Sequence, residues 1–320
     1  MSLRTSPPLA IEVGLTAAIV AMAGDQPMIL TAGGGEGSEN TIALPSGPFN
    51  PVEHRTFEIG LRAWVARQTG TQIGYVEQLY TFGDRGRHAR QGDLDPHVVS
   101  VGYLALGGRG CVPQAGSTPQ SGFQPWYRFF PWEDWRKGRP AILDAAIVPA
   151  LARWAGGDRP RMERVARLFG QNAFDEENVL GRYELLYEAG LVEEVRRDER
   201  PNVPESPGLA RLGEPMRFDH RRILATAMGR LRAKMKYRPV IFELMPEVFT
   251  LTALQNTVEA ISGRLLHKQN FRRLLEASQV AEPVLGAMAA TGGRPAALFR
   301  LRRDLGAELP GVGLRVGGRG

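Results

Sequence analysis

The order of apolar and polar positions predicts a strand-rich front and a helical back. Ile11–Ala23 and Pro27–Thr31 are apolar runs on either side of Gly24-Asp25-Gln26, which reads as strand, turn, strand. Between His54 and Gln68, the residues Phe57, Leu61, Trp64 and Val65 recur at helical spacing, and Gly70 follows as a left-handed cap residue. Ile73–Phe82 and His97–Leu106 predict two further strands, joined by the charged loop Gly83–Pro96. Gly107–Gln124 is rich in Gly, Ser and Pro and predicts irregular structure, followed by the aromatic stretch Trp126–Trp135 and a helix over Ile142–Trp154. Two more helices are expected over Pro160–Leu168 and Asp175–Leu191. Asp175 would cap the second, and Val179, Tyr183, Leu186 and Tyr187 would form its buried stripe. The proline-containing stretch Arg196–Gly213 reads as a linker. A long helix, Asp219–Lys236, then buries Ile223, Leu224, Ala227, Met228, Leu231 and Met235, with Arg221, Arg222, Arg230, Arg232 and Lys236 mostly off that face.

The pattern tightens beyond Leu251. Thr252 and Gln255 stand at capping-box spacing, opening a helix to about Ser262 with Leu254, Val258 and Ile261 inward. Gly263 supplies a turn, and a second helix over His267–Ala277 buries Phe271, Leu274 and Leu275. Two short helices joined by a glycine turn predict a helix-turn-helix. His267, Lys268, Gln269, Asn270, Arg272 and Arg273 would then face a DNA groove, where cations read guanine or phosphate and amides read adenine. Thr252 is a further candidate DNA contact. Thr291–Pro295 reads as a turn before a strand at Ala296–Leu301, a wing carrying Arg294 and Arg300.

Charge supports this division. The chain has 320 residues and a net charge of +6, but the stretch from Leu209 to Gly320 holds 19 Lys and Arg against 9 Asp and Glu. An excess confined to one end suits a polyanionic partner. A single cysteine, Cys111, excludes a disulfide framework or a zinc site of several thiolates, and the five histidines show no ligand spacing, so no metal and no cofactor are expected. The glycine loop at 33–37 lacks the Gly-Lys-Ser/Thr of a phosphate-cradling P-loop. No apolar run reaches the length of a bilayer span and no signal-peptide pattern is evident, so a cytoplasmic protein without membrane contact is expected.

Several stretches carry a family resemblance. Leu79–Asp84, Val99–Leu106, Tyr237–Leu251, Asn270–Arg273 and Gly293–Ala296 resemble Nudix-related transcriptional regulators of NAD metabolism, which join a Nudix domain to a winged helix. The resemblance covers most of residues 10–106 and 215–303. Residues 107–214 have no counterpart in the shorter members and suggest a longer subgroup that represses de novo NAD synthesis.

It implies an α/β protein, an α+β Nudix-like sandwich followed by a winged helix-turn-helix. The expected divisions are a sensing domain at 1–155, a helical extension and linker at 156–214, the winged helix at 215–305 and a flexible tail at 306–320. The Nudix hydrolase signature clusters glutamates on one helix face to hold Mg²⁺. Here Gly47 and Glu53 keep its first spacing and Arg62 matches its arginine after a one-residue insertion, but the glutamate after the arginine is Ala63, and the Glu-Glu pair falls on Ala66-Arg67 or Arg67-Gln68. Glu53 and Glu58, five apart, do not share a helix face. The expected molecule is therefore no enzyme. It would be a homodimeric repressor of NAD biosynthesis genes that binds a double-stranded operator and senses ADP-ribose or a related NAD metabolite. Candidate effector contacts are Arg62, Trp64, Tyr80, Arg85, Arg87 and His88. A Nudix hydrolase of ADP-ribose or a nucleotide sugar, and a module docking an acidic protein, are the competing readings.

Overall fold

The computed structural model describes residues 11–33, 42–84, 97–108, 111–113, 121–171, 174–198, 212–289 and 295–302. Strands β1 (Ile11–Ala23) and β2 (Gln26–Gly33) form the expected hairpin, with Gly24 in the left-handed region at φ 61°. Two short strands follow, β3 (Ile42–Ala43) on β2 and β4 (Ser46–Pro48) on β1. Helix α1 (Phe57–Thr69) starts later than its periodicity suggests, because the Thr56 hydroxyl accepts from the Ile59 N–H and fixes the cap there. Gly70 closes it at φ 66°. Strand β5 (Val76–Phe82) pairs antiparallel with β6 (His97–Leu106), and β6 runs parallel to β1 from Ile11↔His97 to Val20↔Leu106. Strand β7 (Gly122–Pro125) adds to β2, so the end of the stretch expected to be irregular is ordered by a sheet edge that local composition does not reveal.

The main sheet has the order β3-β2-β1-β6-β5. Alternation along β1 sends Leu15, Ala17 and Ile19 to the side of α1, where they pack with Leu61 and Val65, and sends Ala18 and Val20 to the opposite side. That second side is covered by helices. The chain leaves β7 through two 3-10 turns, Trp126–Arg128 and Pro131–Glu133, then a π turn at Leu143–Ile147 that widens the entry to α2 (Val148–Ala155). Next come α3 (Arg159–Phe169), α4 (Val179–Glu188), α5 (Glu193–Arg197) and α6 (His220–Met235). Asp175 does not cap α4. Its side chain accepts from the Glu177 N–H in a separate turn, and the helix begins at Val179. The residues expected as the α4 stripe are all buried, and α5 takes the start of the expected linker.

Helix α6 lies on β1, β5 and β6 with its apolar stripe buried as expected. Beyond it, a 3-10 turn at Val240–Leu244 leads to β8 (Phe249–Thr250), α7 (Leu251–Ser262), α8 (Lys268–Ser278), β9 (Ala281–Ala289) and β10 (Ala296–Leu301). The last two strands form an antiparallel hairpin, joined by β8 into a three-stranded sheet in the order β8-β10-β9. One continuous apolar core runs from Val20 and Leu104 through α4 and α6 to Val258 and Phe271, so the C-terminal unit shares its interior with the sheet layer.

Candidate nucleic-acid interface and effector site

The helix pair α7–α8 is the expected helix-turn-helix, with one local difference. The N-cap of α7 is Thr250, whose hydroxyl accepts from the Ala253 N–H at 3.1 Å. Thr252 lies inside the first turn, exposed, so the anticipated capping box does not form. Gln255 instead donates to the Leu266 carbonyl at 3.0 Å and to Glu259 Oε1 at 2.8 Å, tying α7 to the approach of α8. Strand β8, which holds Thr250 extended against Leu298, puts the cap there and not at Thr252. Gly263 makes the turn at φ 79°.

On α8 the buried anchors are Phe271 and Leu275. Its N-cap His267 and Lys268, Gln269, Asn270, Arg272 and Arg273 are all exposed, which brings these six predicted residues onto one solvent-facing surface. In the wing, Arg300 is only half exposed and its Nε binds Glu282 Oε1 at 2.7 Å across the hairpin, so its charge is already balanced. Arg294 lies outside the described residues.

Of the expected effector residues, Arg62, Trp64 and Tyr80 lie among the described residues. Arg62 is fastened to protein, donating to the carbonyls of Ile73 at 2.6 Å and Gly74 at 3.0 Å and pairing with Glu58 at 2.9 Å. Trp64 donates to the Pro48 carbonyl at 2.8 Å, and its indole lies across Gly47 so closely that any side chain there would collide with it. The Arg67 guanidinium sits 4.8 Å above the same ring. On β5, Tyr80 is 65% exposed and edge-on to Phe82. Arg85, Arg87 and His88 lie outside the described residues. On α1, Ala66, Arg67 and Gln68 are all exposed.

The expectation that the cations of α6 lie off its buried face is corrected. Arg221 and Arg232 are each 1% exposed. They stand at i and i+11 with Ala225 and Met228 between, a single stripe legible in hindsight from three helical turns. Arg221 pairs with Glu194 at 3.2 Å, donates to the carbonyls of Phe129 and Leu212, and lies against the rings of Phe130, Trp132 and Tyr183. Arg232 Nη1 and Arg182 Nη2 both donate to Glu133 Oε2, at 2.8 and 2.7 Å, and Arg182 Nε takes Oε1 at 2.5 Å. Burial alone would push the Glu133 carboxyl up, but Arg182 and Arg232 together hold it below the usual range. Arg222 is engaged too, with Asp84 at 2.6 Å and Glu184 at 2.5 Å. His220, buried, accepts from the Leu44 N–H at Nδ1, as a structural histidine would.

A three-layered α/β sandwich that ends in a helix-turn-helix with a β-hairpin wing defines the class. Comparison with known proteins then gives the particulars. Residues 241–301 match the family described as the NrtR DNA-binding winged helix domain. The ADPR responsive transcriptional repressor NtrR of Acinetobacter baylyi is 45% identical over 83 residues, which covers 26% of this chain and 33% of that protein. The crystal structure of Shewanella oneidensis NrtR complexed with a 27mer DNA aligns over 91% of this chain and 94% of its own, with a TM-score of 0.54 at 20% identity. The Shewanella oneidensis NrtR structure without DNA covers 93% and 97%, with a TM-score of 0.55 at 19% identity. At that identity these two likenesses show the fold, and the fold is the Nudix-plus-winged-helix architecture expected from the sequence.

Proposed function

We propose that the chain is a DNA-binding transcriptional repressor of NAD biosynthesis genes, a regulator rather than a hydrolase. Its Nudix-like domain senses ADP-ribose or a related NAD metabolite. The observation that carries this reading is the exposed surface of α8, where His267, Lys268, Gln269, Asn270, Arg272 and Arg273 face solvent on a winged helix of the matched family. A scaffold that leaves two arginines, a lysine and two amides exposed on one short helix suits phosphate and base contacts. The name of the Acinetobacter relative supports ADP-ribose as the effector.

In this reading the sensing domain spans 1–155, residues 156–214 form a helical extension, and 215–305 bind DNA ahead of a tail at 306–320. Helix α6 serves both sides. Two copies reading two half-sites of an operator would make the active form a homodimer in the cytoplasm. Tyr80, exposed beside Phe82, and the cations Arg85, Arg87 and His88 that follow are the effector contacts we favour. Arg62 and Trp64, both bonded to backbone, would shape the site more than touch the ligand.

The test is fluorescence anisotropy with labelled duplexes from upstream of NAD biosynthesis genes, over a range of salt, with and without ADP-ribose. Sequence-selective binding with a steep salt dependence, altered by ADP-ribose, is the expected result. Equal affinity for a scrambled duplex would sink the reading.

A further inference from the structure

An α-helix leaves its last carbonyls without donors of its own. At the end of α7 these carbonyls are met from elsewhere in the chain. Ala260 O receives the Tyr127 hydroxyl at 2.7 Å, Ile261 O receives Arg232 Nε at 2.8 Å, and the following Gly263 O receives the Trp135 N–H at 2.6 Å. None of these donors belongs to the helix-turn-helix. Arg232 sits on α6, and Tyr127 and Trp135 belong to residues 126–135, the segment that runs directly out of β7 on the main sheet. A buried guanidinium is also the charge that the negative end of a helix favours.

The turn itself is fitted to this arm. A side chain at Gly263 would strike the Glu133 carbonyl, Arg232 Nη2 and the Tyr127 hydroxyl, so only glycine lets α7 seat this closely. Arg264, next in the chain, pairs with Glu176 at 2.9 Å, and Lys236 pairs with the same carboxylate at 2.8 Å. The turn that leads into α8 is therefore held by backbone and charge to the layer over the sheet, through a segment outside both parts of the family resemblance.

We propose that the arm Trp126–Trp135, anchored by Glu133 between Arg182 and Arg232, is the seat that fixes the orientation of the helix-turn-helix on the sheet layer. Tyr127, Glu133 and Arg232 are thereby positioning residues for DNA recognition. The inference rests on the DNA-binding reading above. Its consequence separates two kinds of contact. Attraction to phosphates tolerates a tilt of α8, whereas base readout needs each side chain opposite its edge. Loosening the seat lowers selectivity and leaves the salt dependence in place.

The experiment uses the full chain and a duplex selected from random sequence by the wild-type protein, with a scrambled duplex of equal length. Tyr127→Phe removes one hydroxyl and keeps the ring. It should speed amide exchange across residues 260–266 and lower the selected-to-scrambled affinity ratio, each by about tenfold, the upper range for one hydrogen bond. Exchange in β6 and the salt slope should stay as in wild type. Arg272→Ala should reduce both the ratio and the slope without altering exchange at 260–266. Unchanged exchange in Tyr127→Phe, or faster exchange with an unchanged ratio, overturns the seat alone. Failure of the wild-type chain to select any duplex overturns the DNA-binding reading, and the inference with it.

Discussion

At the residue scale, the buried cluster of Glu133 with Arg182 of α4 and Arg232 of α6 matters most. A buried carboxylate flanked by two guanidiniums is costly to assemble and more costly to break, because removing one partner leaves uncompensated charge. Glu133→Ala should therefore destabilise the fold by about 3–5 kcal/mol, read from urea unfolding at neutral pH. The pH dependence follows from the lowered Glu133 carboxyl. A depressed acid contributes stability that is fully present above its unfolded value, about 4.3 for Glu, and fades as pH falls through the lower folded value. The stability gap between wild type and Glu133→Gln should thus be widest near neutrality and narrow below about pH 4. A gap that is constant with pH would mean that the charge of Glu133 adds nothing. Arg62 belongs to this scale as well. Its type and its match to a catalytic signature suggested a ligand contact, but its hydrogen bonds go to the Ile73 and Gly74 carbonyls.

At the element scale, apolar period and turn chemistry placed most helices and strands; β3, β4, β7, α5 and β9 were not expected, and other misses concern ends. Helix α7 is the clearest case: Thr252 fits a capping pattern in sequence, but the strand pairing of Thr250 decides which threonine caps. Thr250→Ala should cost about 1 kcal/mol of stability, the usual value of a lost N-cap, and Thr252→Ala close to none, both measured as shifts in denaturation midpoint. Equal effects would return the cap to Thr252. On α8, Arg272→Ala should lower the slope of log affinity against log salt by about one if it contacts a phosphate, with protein stability unchanged. In the wing, Arg300→Ala should change that slope little, since Glu282 already holds the guanidinium.

At the scale of the whole molecule, the sheet layer and the winged helix share one apolar core and one set of buried charges. A ligand that shifts DNA affinity must bind the DNA-competent and DNA-incompetent arrangements unequally, and rigidly joined layers are a means of making that difference felt at α8. ADP-ribose should raise the thermal stability of the full chain, by about 2.7 kcal/mol at a hundredfold excess over its dissociation constant. No magnesium-dependent hydrolysis should accompany it, and the assay for released AMP should stay at background. Turnover abolished by Glu53→Gln would establish a hydrolase instead.

The sequence by itself determined the elements, the winged helix and the cationic face of α8, because hydrophobic period, a turn glycine and exposed charge are local signals. That positions 63 and 66–68 hold no glutamate is likewise a matter of residue type alone. Only the tertiary structure decided which charges are spent. Arg221, Arg232, Arg62 and Arg300 look alike in a chain with 36 arginines. Their partners, Glu194, Glu133, the Ile73 carbonyl and Glu282, lie between 11 and 99 residues away. Such pairings have no period to reveal them, because they are set by how layers stack and by the need to satisfy every polar group that stacking buries.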